Sequence, residues 1–222
     1  MAETTTPPPA GLSRAEEEAA FYHEAGLNAA WTGTRLALGG LSFLFGCFVF
    51  AFFYLQSLNS HHLWYPTGFP GPKMWLGVVI MALVVISAAL QTLALQRIKA
   101  GHKGPWLQGA TVALVLGLAA VAFEIYQLSS LSYWPGASGF ASVFVGFYPV
   151  FLFIAFCVMV WLEMLIMRAR HIPEIAFVEQ PPTYAEAFAV QRFQASLSAF
   201  TLTWNYLAVV AFIAWVLFYL VH

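Results

Sequence analysis

Five stretches of the chain, roughly residues 33–56, 74–96, 106–131, 139–168 and 197–221, stay apolar over the length of about 20 residues that a helix needs to cross a bilayer. With 61% hydrophobic and 9% charged residues, the sequence lies outside the range of soluble domains. Its 21 Phe and 17% aromatic content suit lipid-facing and interfacial helix surfaces. The reading is an all-α integral membrane protein: a bundle of five transmembrane helices within residues 31–222, behind a cytoplasmic N-terminal tail of residues 1–30. A formal net charge of −1 offers no basic patch to displace counterions, which argues against nucleic acid as a partner.

The tail, MAETTTPPPAGLSRAEEEAAFYHEAG, lacks the basic end and apolar core of a secretory signal. Residues 1–12 are expected to form a disordered polar segment. SRAEEEAA is expected to start a short amphipathic helix, with Ser13 as N-cap and Glu16 to Glu18 near the positive end of its dipole. Between the first two spans, NSHHLWYPTGFPGPK is dense in Pro, Gly and aromatics, which stops both helices and predicts an ordered interfacial loop. The connection RARHIPEIAFVEQPPTYAEAF is polar and broken by Pro173, Pro181 and Pro182.

Cytoplasmic loops hold an excess of Lys and Arg. Arg97, Lys99 and Lys103 lie in the second connection and Arg168, Arg170 and Arg192 in the fourth. The third, SSLSYWPGASG, has no charge and the first has only Lys73. The expected orientation is therefore N-terminus in, C-terminus out. The spans do not divide into two matching halves, which argues against a secondary transporter.

Ionisable groups at membrane depth are costly and rare, so each is a functional candidate. All ten acidic residues are Glu, so mechanisms that need an Asp are excluded. Within the spans only Glu124 and Glu163 carry a carboxyl group. Glu163 lies about one turn from Arg168 and Arg170, so snorkelling and pairing account for it. Glu124 sits in the outer half of the third span, with Gln127 one turn on along the same face and Tyr126 beside them. That group is a candidate for proton relay, for binding water or a lipid headgroup, or for an interhelical hydrogen bond.

His23, His61, His62, His102, His171 and His222 fall in tails, loops or at the last residue, so no span offers paired imidazoles for haem. His61 and His62 are a weak signal for a surface metal. Cys47 and Cys157 lie in apolar runs without metal-ligand spacing and read as small buried hydrophobes. No P-loop, nucleophile elbow or HExxH occurs. No catalytic, cofactor-binding or metal residue is expected on this chain. In the last span, Trp204, Asn205 and Tyr206 read as helix-packing groups, Asn205 hydrogen-bonding across helices and the two rings adding area with a polar handle.

Read as a pattern, WNYLAVVAF resembles the last-helix signature of subunit III of the haem-copper (cytochrome c) oxidases, which runs Trp-His-Phe-Val-Asp, two apolar residues and a second Trp, with a Tyr about seven positions on. Trp204, Tyr206, Leu207 and Tyr219 match, while Asn205, Ala208 and Ala211 replace the His, the Asp and the second Trp. LGLAAVAFEIYQL resembles the family's third-from-last helix with its polar pair exchanged, Glu124 at the Gln position and Gln127 at the Glu position. SGFASVFVGFYPVF is similar to its Gly-Phe-His-Gly-Leu-His stretch: Gly146 and Phe147 match, and Tyr148 and Phe151 replace the two His. In the first span the family's Ser-Glu pair is reduced to Ser42.

The resemblance covers nearly all of the chain after the tail and implies a divergent, five-helix bacterial form. It implies a non-catalytic subunit III of a terminal respiratory oxidase in the bacterial inner (cytoplasmic) membrane, partnered by oxidase subunits I and II. Haem and copper are then expected on those partners, and bound phospholipid on this chain. Its roles would be to stabilise subunit I, hold lipid and support proton uptake and O2 reduction by the complex. The alternatives are an accessory subunit of a nitric oxide reductase, a small membrane transporter with Glu124 as its coupling acid, and a free-standing scaffold.

Overall fold

Each of the five apolar stretches forms one helix in the computed structural model, which describes residues 14–58, 64–66, 68, 70–173, 177 and 184–221. The helices are α1 (Arg14–Ser57), α2 (Met74–Lys99), α3 (Lys103–Ser129), α4 (Gly139–His171) and α5 (Tyr184–Tyr219). All five are long and apolar enough to cross a membrane. The amphipathic helix expected near Arg14 and the first span are a single helix, with no break where the apolar run begins. At 1.5 Å per residue α1 is about 66 Å long, twice the hydrocarbon thickness. The segment 1–12, Ser13, His61, His62, Pro181, Pro182 and His222 lie outside the described residues.

Contacts between helices fix the register. Ser87 meets Ala113 and Ala94 meets Gly109, so α2 and α3 are antiparallel. Trp204 meets Ser87 and Tyr219 meets Gly77, which makes α5 antiparallel to α2. Met159 packs on Gly117, joining α4 to α3. Thus α2, α3, α4 and α5 form a four-helix ring, and α1 lies on the outside against α4 and α5. Its Phe45, Phe48 and Phe52 pack tilted or edge-on against Phe147 and Phe218.

The bundle has a basic end, carrying Arg97, Lys99, Lys103, Arg168 and Arg170, and a Pro-rich end formed by the connections around residues 64–73 and 130–138. At the basic end Gly101 takes φ +85°. Its N–H donates to Ile98 O (3.0 Å) and that of His102 to Arg97 O (3.0 Å), a helix stop that needs a left-handed residue and so favours glycine. The Lys103 ammonium donates to Ile172 O, tying α3 to the end of α4. At the Pro-rich end Ser138 Oγ caps α4 by accepting from Ala141 N at 3.0 Å. The described part of the first loop is docked: Trp64 is buried between Phe52 and Phe140, and its carbonyl accepts from Phe140 N at 3.2 Å.

Cys47 and Cys157 are both exposed, which corrects the expectation that they are buried. In a membrane chain an apolar run marks contact with lipid as readily as contact with protein.

Candidate functional site

Along α3 the buried positions Trp106, Ala110, Ala113, Gly117, Ala120, Glu124 and Gln127 recur every three or four residues, so one stripe faces the ring interior. Its last two members bring a carboxyl and a carboxamide into the core, each only 2% exposed. From α5 the Tyr219 hydroxyl accepts a hydrogen bond from Gln127 Nε2. From α4 the buried Tyr148 hydroxyl lies in hydrogen-bonding reach of Tyr219. Gly77 on α2 makes room for the Tyr219 ring, because a Cβ there would come within 2.7 Å of its Cε1 and Cε2. Three helices therefore supply one cluster of Glu124, Gln127, Tyr148 and Tyr219, and α2 makes room for it at Gly77. Both Glu124 oxygens and Gln127 Oε1 have no hydrogen-bond partner among the described residues.

Tyr126 stands apart. It is 50% exposed on the outer surface of α3, with the Lys73 ammonium 5.7 Å above its ring. Residues two apart on a helix point to nearly opposite sides, so a neighbour of Gln127 in sequence cannot join the face of Glu124. Glu163 is likewise exposed, on the outer face of α4, and among the described residues it forms no ion pair with Arg168 or Arg170. Arg168, five residues on, points to a different side of the helix, and Arg170, seven residues on, shares the face of Glu163 but stands about 10 Å further along the axis.

Trp204, Asn205 and Tyr206, successive on α5, serve different neighbours. Trp204 is fully buried, and its Nε1 donates to Ser87 Oγ on α2 at 3.0 Å. That hydroxyl in turn donates to Ala113 O on α3 at 2.6 Å, linking three helices through one serine. Asn205 Nδ2 donates to Thr92 Oγ1 at 3.0 Å. Tyr206 turns to α1, with its ring centroid 6.5 Å from that of Phe45. Replacing Asn205 with Leu is expected to cost about 0.6 kcal/mol, the usual worth of such a bond in a membrane. Tyr219→Phe is expected to cost more, about 1–3 kcal/mol, because the buried Gln127 amide is left without an acceptor. Unfolding equilibria in mixed micelles will give both values.

Tyr148, Tyr219, Ser87 and Thr92 were not assigned to these contacts from sequence. The available signal was chemical type: hydroxyl groups within apolar runs seek partners on neighbouring helices.

Four spaces adjoin these residues. A groove of about 240 Å3 between α1 and α5 is walled by Phe45, Phe48, Phe52, Val209, Ile213 and their neighbours, and is almost wholly apolar. Two small cavities of about 10 Å3 flank Glu124, one towards Tyr148 and Trp215, the other towards Gly117 and Trp204. A vestibule of about 140 Å3 opens at the Pro-rich end between Pro70–Lys73 and Ser130–Tyr133, with Gln127 at its floor. Burial pushes the Tyr133 hydroxyl above its ordinary pKa, so it stands neutral in the vestibule wall at physiological pH. No protein-family model and no curated protein matches the chain.

Proposed function

We propose that the chain is a non-catalytic subunit III of a terminal haem-copper oxidase of cytochrome c oxidase type, held in the bacterial cytoplasmic membrane with its N-terminus inside and its C-terminus outside. The observation that carries this reading is the convergence of the motif positions. Glu124 and Gln127 stand at the family's polar pair, Tyr148 at its first His and Tyr219 at its distal Tyr. Residues 92 apart in sequence, Gln127 and Tyr219, are bonded to each other in the fold. Motif positions scattered over three helices meet in one cluster.

Two further features suit an accessory role. The polar side chains of α5 are engaged in holding helices together, as the Trp204–Ser87 and Asn205–Thr92 bonds illustrate. The groove between α1 and α5 is almost wholly apolar, a lining that suits a phospholipid acyl chain and agrees with a lipid-holding subunit. Subunit I and subunit II would carry the haem and copper. The placement of Arg97, Lys99, Lys103, Arg168 and Arg170 at one end supports the orientation.

Oxygen consumption by membranes from cells lacking the chain tests the role. The expected result is a normal initial rate that decays during sustained turnover, with durability restored when the chain is supplied again. Unchanged initial rate and unchanged durability would contradict it.

A further inference from the structure

We infer that Glu124 is a hydrated, proton-exchanging carboxyl group reached from the Pro-rich end of the bundle alone. This goes beyond the accessory role and concerns this chain whichever complex it joins. A carboxyl group 2% exposed, with neither oxygen bonded to protein, is among the costliest arrangements a core can hold. Such groups are stabilised by water when the space beside them is polar and large enough, and roughly 10–15 Å3 admits one molecule. The cavity towards Tyr148, about 10 Å3, lies at the lower end of that size and is bordered by two further polar side chains, Gln127 and Tyr148, whereas the other is walled by apolar groups apart from Glu124 and Trp204.

The route to bulk is one-sided. Gln127 borders both the cavity beside Glu124 and the vestibule, and its Oε1 has no partner among the described residues, so it can accept from water. Lys73, Ser130 and Ser132 make the vestibule polar out to the loop surface. Toward the basic end the second cavity closes on Phe151, Leu152, Val84 and Trp204. Trp204 Nε1, on that wall, is already bonded to Ser87 Oγ.

In the exchange the carboxyl O–H bond breaks as a cavity water gains the proton, and water in the vestibule carries it past Gln127 to bulk; uptake is the reverse. The titratable groups facing Glu124 are Tyr148 from α4 and Tyr219 from α5. The α2 wall, Gly77, Ile80 and Met81, carries none, and Lys73 and Tyr133 stand in the vestibule.

The full chain, labelled with 13C-glutamate and inserted in one orientation in sealed lipid vesicles, permits a direct test by solid-state NMR. The Glu124 Cδ resonance is the one lost in Glu124→Gln. It is expected to move when the pH on the Pro-rich side is swept from acid to alkaline, and to ignore a sweep on the basic side. Filling the vestibule by Ser132→Trp, or by Leu131→Trp should the first variant fail to fold, is expected to slow that response severalfold. A resonance that never moves, that follows the basic side, or that responds equally fast with the vestibule filled would overturn the proposal.

Discussion

Replacing Trp204 with Ala will cost about 3–5 kcal/mol, the largest loss expected from any single truncation in this bundle. The side chain is fully buried where α5 faces α2 and α3. The loss also removes the donor to Ser87 Oγ, although that hydroxyl keeps its bond to Ala113 O. Trp204→Phe separates the two effects: most of the ring volume stays and only the hydrogen bond goes, so the cost should fall to about 1–2 kcal/mol. Equal losses for Ala and Phe would mean that the hydrogen bond, rather than packing, holds α5 in place.

Gly109→Leu will be the second severe change, at about 1–3 kcal/mol or more. The limiting contact is between α2 and α3, where a Cβ on residue 109 would stand 3.1 Å from the Ala94 Cβ and 3.9 Å from its Cα. A methyl bound directly to backbone cannot swing aside, so the helices themselves must part, and the Ser87 to Ala113 bond lies one turn away. Gly117→Ala offers a control. There the added Cβ would overlap the Met159 thioether, the movable end of a side chain rather than backbone, and the cost should stay below that of Gly109→Leu. Unfolding of both variants in the same mixed micelles gives the comparison.

The five helices are legible because length in lipid is dictated by bilayer thickness, and each apolar run reports it. Their inward faces are not legible from hydropathy, since Phe50 and Phe153 face outward as readily as Phe52 and Phe140 face inward. What marks the interior is small or polar character: Ser87, Gly109, Gly117, Glu124 and Gln127 all line helix contacts. Glu124 and Gln127 were readable as one face for that reason. Tyr219 and Tyr148 were not readable as their partners, because nothing local in the sequence brings residues of α4 and α5 to α3. Hydropathy also misjudges α1, whose Ala- and Glu-rich first part continues as helix although it is too polar for a span. The end of an apolar run locates the membrane surface, and the end of a helix is set by stop signals such as Gly101.

The most direct measurement is purification of the tagged full chain in mild detergent, read by absorption spectrum and by mass spectrometry of what accompanies it. A subunit of a haem-copper oxidase will bring haem bands together with subunits I and II in fixed proportion. A colourless chain recovered alone, or one travelling with a nitric oxide reductase, would contradict the assignment.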